Sequence, residues 1–462
     1  MRRRILSSFV LPLTLFVGVA QGQEDETTIN SYAAGYVAGY TCSAIFNANK
    51  SEDAIREHEL SGIYPLVADK VAAMKADIDR ENKLVRVAYD DGQRERISVW
   101  RARLGCVDLP VGATLADADK VSRPFAEAAL AKDNGEPWQI RQPVNEVTGN
   151  LDLDDVIIKG FSKHYGSGAR TTAILIATSD KIIAEHYLDG FSPETSQRTW
   201  SVAKSIAASV VGAAVLHRDV KVNAPATIAN WQSTLDPRRN ITLEHLLHMA
   251  SGLDSNAAGN RTDRVYMGGG RVVDTAVTTA LEVQPGSRWK YANNDTMLAM
   301  RAVRESFGNS EDFLKFPYEA LLDKIGMQHT FLETDWNDDF IMSSQVWTTA
   351  RDLARLGVLH LQNGIWQGER LLPENWLAYI SKPAPAQPNE GAPGYGAQWW
   401  LYNERFPELP NDTIAARGNR GQYLVIIPSK NLVVVRRGYD MAGQQGFSEH
   451  DFVRDVLAAL EK

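Results

Sequence analysis

Two stretches of buried-strand character lie far apart in this chain, and together they limit how it can fold. "TTAILIATSDKIIAEHYLDG", Thr171 to Gly190, and "QYLVIIPSKNLVVVRRG", Gln422 to Gly438, each place two apolar arms around a turn, at Ser179-Asp180 and at Pro428 to Asn431. The text between them has helical rather than alternating period. It is clearest over residues 202–217 and returns in "LEHLLHMASGL", where Gly252 reads as a helix stop. "FSEHDFVRDVLAALEK" closes the chain as an amphipathic helix with Ser448 as its N-cap. Strands early and late with helices between them predict an α/β or α+β fold, its sheet layer assembled from both ends around a helical insertion.

At 462 residues, 44% apolar and 23% charged, the chain has room for more than one domain. Residues 1–22 read as a signal peptide, with three arginines before an apolar run and Ala20 and Gly22 in an A-x-G arrangement. A membrane anchor fits less well, because the run is short and holds Pro12. The expected location is therefore secreted or periplasmic, with no stable membrane insertion after cleavage. Loss of those arginines takes the net charge from −8 to −11, which disfavours nucleic acid as a partner.

Residues 23–140 form a first region, and 141–462 the domain that carries the chemistry. The first region contains "KLVRVAYDDGQRERISVWRA", a hairpin around Asp91-Gly92. It also holds the chain's two cysteines, Cys42 and Cys106, which in an exported protein are expected to pair as a disulfide; two buried free thiols are the alternative.

One helix start is chemically odd. "TWSVAKSIAASVVGAAVLH", Thr199 to His217, carries Lys204 in an otherwise uncharged apolar run, three residues after Ser201. One turn apart, the two side chains share a face. Burial disfavours an ammonium, and a neutral amine can take the serine proton, while free N–H groups at the helix end can hold an oxyanion. A snorkelling or ion-paired lysine is the plainer reading. A second such tetrad, Ser287 to Lys290, follows Pro285-Gly286 in a turn and opens no helix.

Three ordered motifs carry a family likeness: "SVAK" (Ser201 to Lys204), "YAN" (Tyr291 to Asn293) and "RGNRGQYLVIIP". With them, residues 150–462 resemble the serine β-lactamase and penicillin-binding-protein superfamily. Within it the likeness is to the class C-like branch of esterases, D-amino-acid peptidases and 6-aminohexanoate-dimer hydrolases. The resemblance implies a β-lactamase-like antiparallel sheet flanked by helices, with a helical subdomain and no cofactor. It implies Ser201 as acylated nucleophile, Lys204 as proton acceptor, and Tyr291 sharing proton transfer as a phenolate lowered by Lys204 and Lys290. It places the oxyanion hole at the N–H groups of Ser201 and Gln422, and substrate contacts at Asn293, Asn419, Arg420 and Gly421. Asn419 and Arg420 stand where the family has Lys or His and then Thr or Gly, so the usual cation for a substrate carboxylate is missing at that position, with Arg417 or Arg420 as substitutes. A small ester or amide is thus expected as substrate. The alternatives are a non-turnover penicillin-binding-like sensor, or a true β-lactamase or D-amino-acid peptidase. Oligomeric state is left open.

Other patterns point elsewhere. His245 and His248 suit core or capping roles better than zinc, lacking an HExxH glutamate. "MGGGRVV", Met267 to Val273, reads as a flexible loop, and no GxSxG elbow is present. "YGAQWWL", Tyr395 to Leu401, divides evenly between an acyl pocket and core, and the Pro/Gly-rich loop 382–396 is expected to border a pocket.

Overall fold

The computed structural model of the chain describes residues 26–63, 65–90, 92–126, 144–255 and 263–461. The expected signal peptide, residues 1–22, and Asp91 of the first hairpin turn lie outside the described residues.

The two distant hairpins do meet. Among the described residues the largest sheet has seven antiparallel strands, ordered Gly394–Tyr395, Trp400–Leu401, Ile414–Gly418, Gln422–Ile427, Leu432–Gly438, Thr171–Ala177 and Ile182–Tyr187. The late hairpin joins the early one where Val434 pairs with Ile176. Side chains alternate across this sheet with period two. Ala173, Leu175, Leu424, Ile426 and Val433 share a buried cluster with the helices Val202–His217 and Ala350–Leu361. Ile174, Ile176, Val425 and Val434 pack with the helices Leu151–Gly160 and Glu449–Leu460 on the other face. Ser448 caps the last helix by accepting from the Asp451 amide. The helix Val202–His217 keeps its expected bounds; a helix apolar on every side needs cover on every side, and it is buried from Val202 to Ala214.

Residues 26–126 build a second layer. The antiparallel sheet Asp77–Asp79, Leu84–Tyr89, Arg94–Arg101, Gly105–Asp108 includes the expected hairpin, with Tyr89 opposite Arg94. The helix Glu26–Phe46 lies on it, and Cys42 is bonded to Cys106 across that contact. A bridge closing 64 residues contributes roughly 4 kcal/mol in the chain-entropy picture. The same helix shares a buried cluster with Phe331 and Trp347 of the larger layer.

Two local expectations change. The helix in "LEHLLHMASGL" covers only Leu243–Leu247, and the chain leaves it at Met249, whose φ of +55° turns it towards Lys290, not at Gly252. "MGGGRVV" is a close-packed seam rather than a flexible loop. Its Met267 carbonyl accepts from Arg96 at 2.8 Å, and its Gly269 carbonyl accepts from Trp336 at 2.8 Å.

Candidate active site

Ser201 stands at the N-cap of the helix Val202–His217, and Lys204 lies one turn further in. The Lys204 Nζ is 3.2 Å from the Ser201 Oγ, 2.7 Å from the Asn293 Oδ1 and 2.7 Å from the Ser343 carbonyl oxygen. Its residue is 1% exposed, and burial pulls the amine down to about 7 from its ordinary 10.5. The three contacts suit a neutral amine: two N–H bonds donate to the two carbonyl oxygens, and the lone pair remains for the serine proton. Such an amine can act as a general base near neutral pH.

Tyr291 and Asn293 sit on the chain entering the helix Asn293–Arg304, beside this pair. The Tyr291 phenol hydrogen-bonds with Ser201, and its ring centroid is 4.9 Å from the Lys204 Nζ. Burial pushes the phenol up to about 12, which outweighs the opposing pull of Ser201 and Arg417. The lowered phenolate expected from two ammonium neighbours is therefore not what the structure holds. Lys204 is itself lowered to about 7 by burial, and Lys290 pairs with Glu282 at 3.8 Å.

The aromatic stretch splits between its two readings. Trp399 is fully buried core, whereas Trp400 stacks on Tyr291 at 5.7 Å, and Tyr395, which ends the Pro/Gly-rich loop, meets Tyr291 edge-on at 6.1 Å. His245 caps its helix, its Nδ1 accepting from the Thr242 amide, and His248 Nδ1 bonds the Glu244 carbonyl.

The third motif is shifted from its expected register. A Cβ on Gly418 would collide with the Thr199 carbonyl and lie 3.3 Å from the Ser201 amide nitrogen, so Gly418 is the glycine that lets this strand approach the serine. Its strand is covered by Trp400–Leu401 only at Ile414 and Ala415, so the ladder leaves its outer edge unpaired from Ala416 onward.

Gln422, by contrast, belongs to an interior strand flanked by Ile414–Gly418 and Leu432–Gly438. Its side chain is occupied with Arg437 Nε at 2.7 Å and with the Gly438 carbonyl. Gly421 packs on the Arg436–Asp440 ion pair. Arg420 is buried and donates to the His58 and Asp440 carbonyls, so it does not face a substrate. Asn419 is exposed at the turn. The cation at the site is Arg417, 5.6 Å from the Trp400 centroid and ion-paired with Glu449 at 2.6 Å.

Sequence reasoning missed Ser343, which acts through a backbone carbonyl and so leaves no side-chain signature. It also missed Tyr266, whose hydroxyl holds the Ser343 Oγ at 2.6 Å.

The Beta-lactamase family matches residues 155–446. Among sequence relatives, the 6-aminohexanoate-dimer hydrolase of Paenarthrobacter ureafaciens is 26% identical over 293 residues, covering 58% of this chain and 72% of that protein. Among solved structures, a family VIII carboxylesterase has a TM-score of 0.54 at 13% identity, over 69% of this chain and 99% of that one. A penicillin-binding protein homolog from Caulobacter crescentus gives 0.54 at 14% identity, over 69% and 99%. At those identities the two structures share the fold with this chain.

Proposed function

This chain belongs to the Beta-lactamase family and is a hydrolase of that type; we propose that it cleaves an ester or small amide through an acyl-enzyme on Ser201. One observation carries the reading. A buried lysine with neutral carbonyl partners, held at about 7, lies 3.2 Å from a partly exposed serine hydroxyl. In the proposed reaction the Ser201 proton passes to Lys204 Nζ as Oγ bonds to the substrate carbonyl carbon. The oxyanion is held by the N–H groups of Ser201 and Asn419, the latter taking the place first assigned to Gln422, because Asn419 follows the glycine that abuts the serine.

Tyr291, neutral at this pH, gives its proton to the leaving alcohol or amine as the carbonyl–heteroatom bond breaks, and regains one from the Lys204 ammonium. Water then attacks the ester on Ser201, releasing the acid and restoring the hydroxyl. The name of the Paenarthrobacter relative supports linear amides as one substrate class to try, and the name of the carboxylesterase neighbour supports carboxylic esters as another. The N-terminal arginines with their apolar run, together with the Cys42–Cys106 bridge, support export.

Purified protein with p-nitrophenyl acetate and butyrate tests the reading. Steady turnover that vanishes in Ser201→Ala is the expected result. A single burst without a steady rate would replace it with a non-turnover acceptor, and full activity in Ser201→Ala would end it. A linear amide oligomer and a chromogenic cephalosporin in the same assay separate the substrate classes.

A further inference from the structure

We infer that Tyr40, on the N-terminal helix and outside the family-matched residues 155–446, is a positioning residue for the reaction proposed above, holding the Trp200–Ser201 turn through Arg198. The Arg198 guanidinium lies over both rings, 4.1 Å from the Tyr40 centroid and 3.6 Å from the Trp200 centroid. A planar guanidinium can stack on aromatic faces, which the compact ammonium of a lysine cannot do. Trp200 has a φ of +50°, a left-handed backbone that a bulky side chain avoids unless its surroundings impose it. Because Trp200 directly precedes Ser201, that backbone sets where the nucleophile points.

The same ring reaches the lysine's support. The Tyr40 hydroxyl accepts from Gln345 Nε2 at 3.0 Å, and Arg198 Nη2 donates to the Ser344 Oγ at 3.0 Å. Ser344 and Gln345 follow Ser343, whose carbonyl takes the Lys204 amine. Tyr40 therefore touches both segments that fix the reacting pair. A second contact from this region reaches the third motif, where the His58 carbonyl accepts from Arg420 in the turn after Gly418. In this arrangement residues 26–63 complete the active site rather than accompany it.

The inference rests on the proposed hydrolysis, and the test separates the two. With p-nitrophenyl butyrate and the full chain, Tyr40→Leu should lower kcat about tenfold or more, with KM within about threefold of wild type. Its acid limb should move to higher pH, because water entering the loosened cradle rehydrates the Lys204 ammonium. Tyr40→Phe keeps the ring over Arg198 and should hold kcat within about threefold. If Tyr40→Leu does not fold, Arg198→Lys keeps the charge without the planar stack and should show the same loss. A folded Tyr40→Leu or Arg198→Lys protein with wild-type kcat and pH midpoint, only its melting temperature lowered, overturns the inference. A wild type without turnover that depends on Ser201 removes the hydrolase reading itself.

Discussion

Two lysines with little-exposed side chains, Lys204 and Lys50, sit in two regions of the molecule and meet opposite fates. Lys204, in the serine pocket, has carbonyl oxygens and a hydroxyl around it, and burial brings it down to about 7. Lys50, at the seam between the N-terminal region and the large sheet, has a side chain that is 5% exposed. There burial pulls its pKa down, but Glu59 at 2.6 Å and the Tyr439 hydroxyl outweigh it, and the net shift is upward. Burial alone does not decide a lysine's charge; the presence of a carboxylate does. The seam pairs its cation with a carboxylate, whereas the serine pocket holds its amine among neutral acceptors. The comparison can be broken at either lysine.

The largest effect is expected at Lys204. Lys204→Met should lower kcat about 10⁴-fold, the upper end for a general base, since this amine is the group placed to take the Ser201 proton. Its urea midpoint should be unchanged or higher, because no buried charge loses a partner. A variant that loses stability but keeps its rate would make Lys204 structural. The reverse pattern is expected at Lys50. Lys50→Met strands the Glu59 carboxylate and should cost about 3–5 kcal/mol in urea unfolding, while the acid limb of the activity profile stays near 7. Removing both partners, Lys50→Met with Glu59→Leu, should recover most of that loss. Tyr291→Phe comes next, with about a 10²-fold loss in kcat. Its alkaline limb should also disappear if that limb belongs to the phenol held at about 12. An unchanged profile would assign the limb to another group.

How much of this contrast the sequence shows follows from what each residue does locally. Ser201, Lys204 and the bounds of their helix were legible, because a charge in an apolar helical run is a local anomaly and 3.6-residue periodicity marks its ends. The joining of Val434 to Ile176 was legible only as two apolar hairpins wanting the same sheet. Lys50 carried no signal: its partners Glu59 and Tyr439 lie 9 and 389 residues away, and a surface lysine looks the same in text. Motif spacing points to Gly421 and not to Gly418, the glycine that abuts Ser201, because it does not say which strand lies at the open edge. Tyr291 was read as a lowered phenolate because the text shows Lys290 beside it and not that Lys290 faces Glu282.

The smallest and sharpest change turns one environment into the other. Asn293→Asp would set a carboxylate where a neutral carbonyl now accepts from Lys204 at 2.7 Å, close to the 2.6 Å of the Lys50–Glu59 pair. The ammonium gains a counter-charge, so the folded-state pKa of Lys204 should rise from about 7. In the proposed reaction the neutral amine is the working form, so a rise of about one unit from about 7 lowers the rate at pH 7 about fivefold and moves the acid limb up by the same unit, with activity recovered near pH 9. Stability should respond in the matching sense. In the wild type the folded pKa lies below the unfolded 10.5, so folding rejects a proton and stability falls as pH drops from 10.5 towards 7. With a carboxylate beside it that fall should shrink, measured as a flatter urea midpoint between pH 7 and 10. An acid limb still at 7 in Asn293→Asp would mean that the group titrating there is not Lys204. A rate lost equally at every pH would instead place the Asn293 amide on the substrate, with the lysine's charge state governed by burial alone.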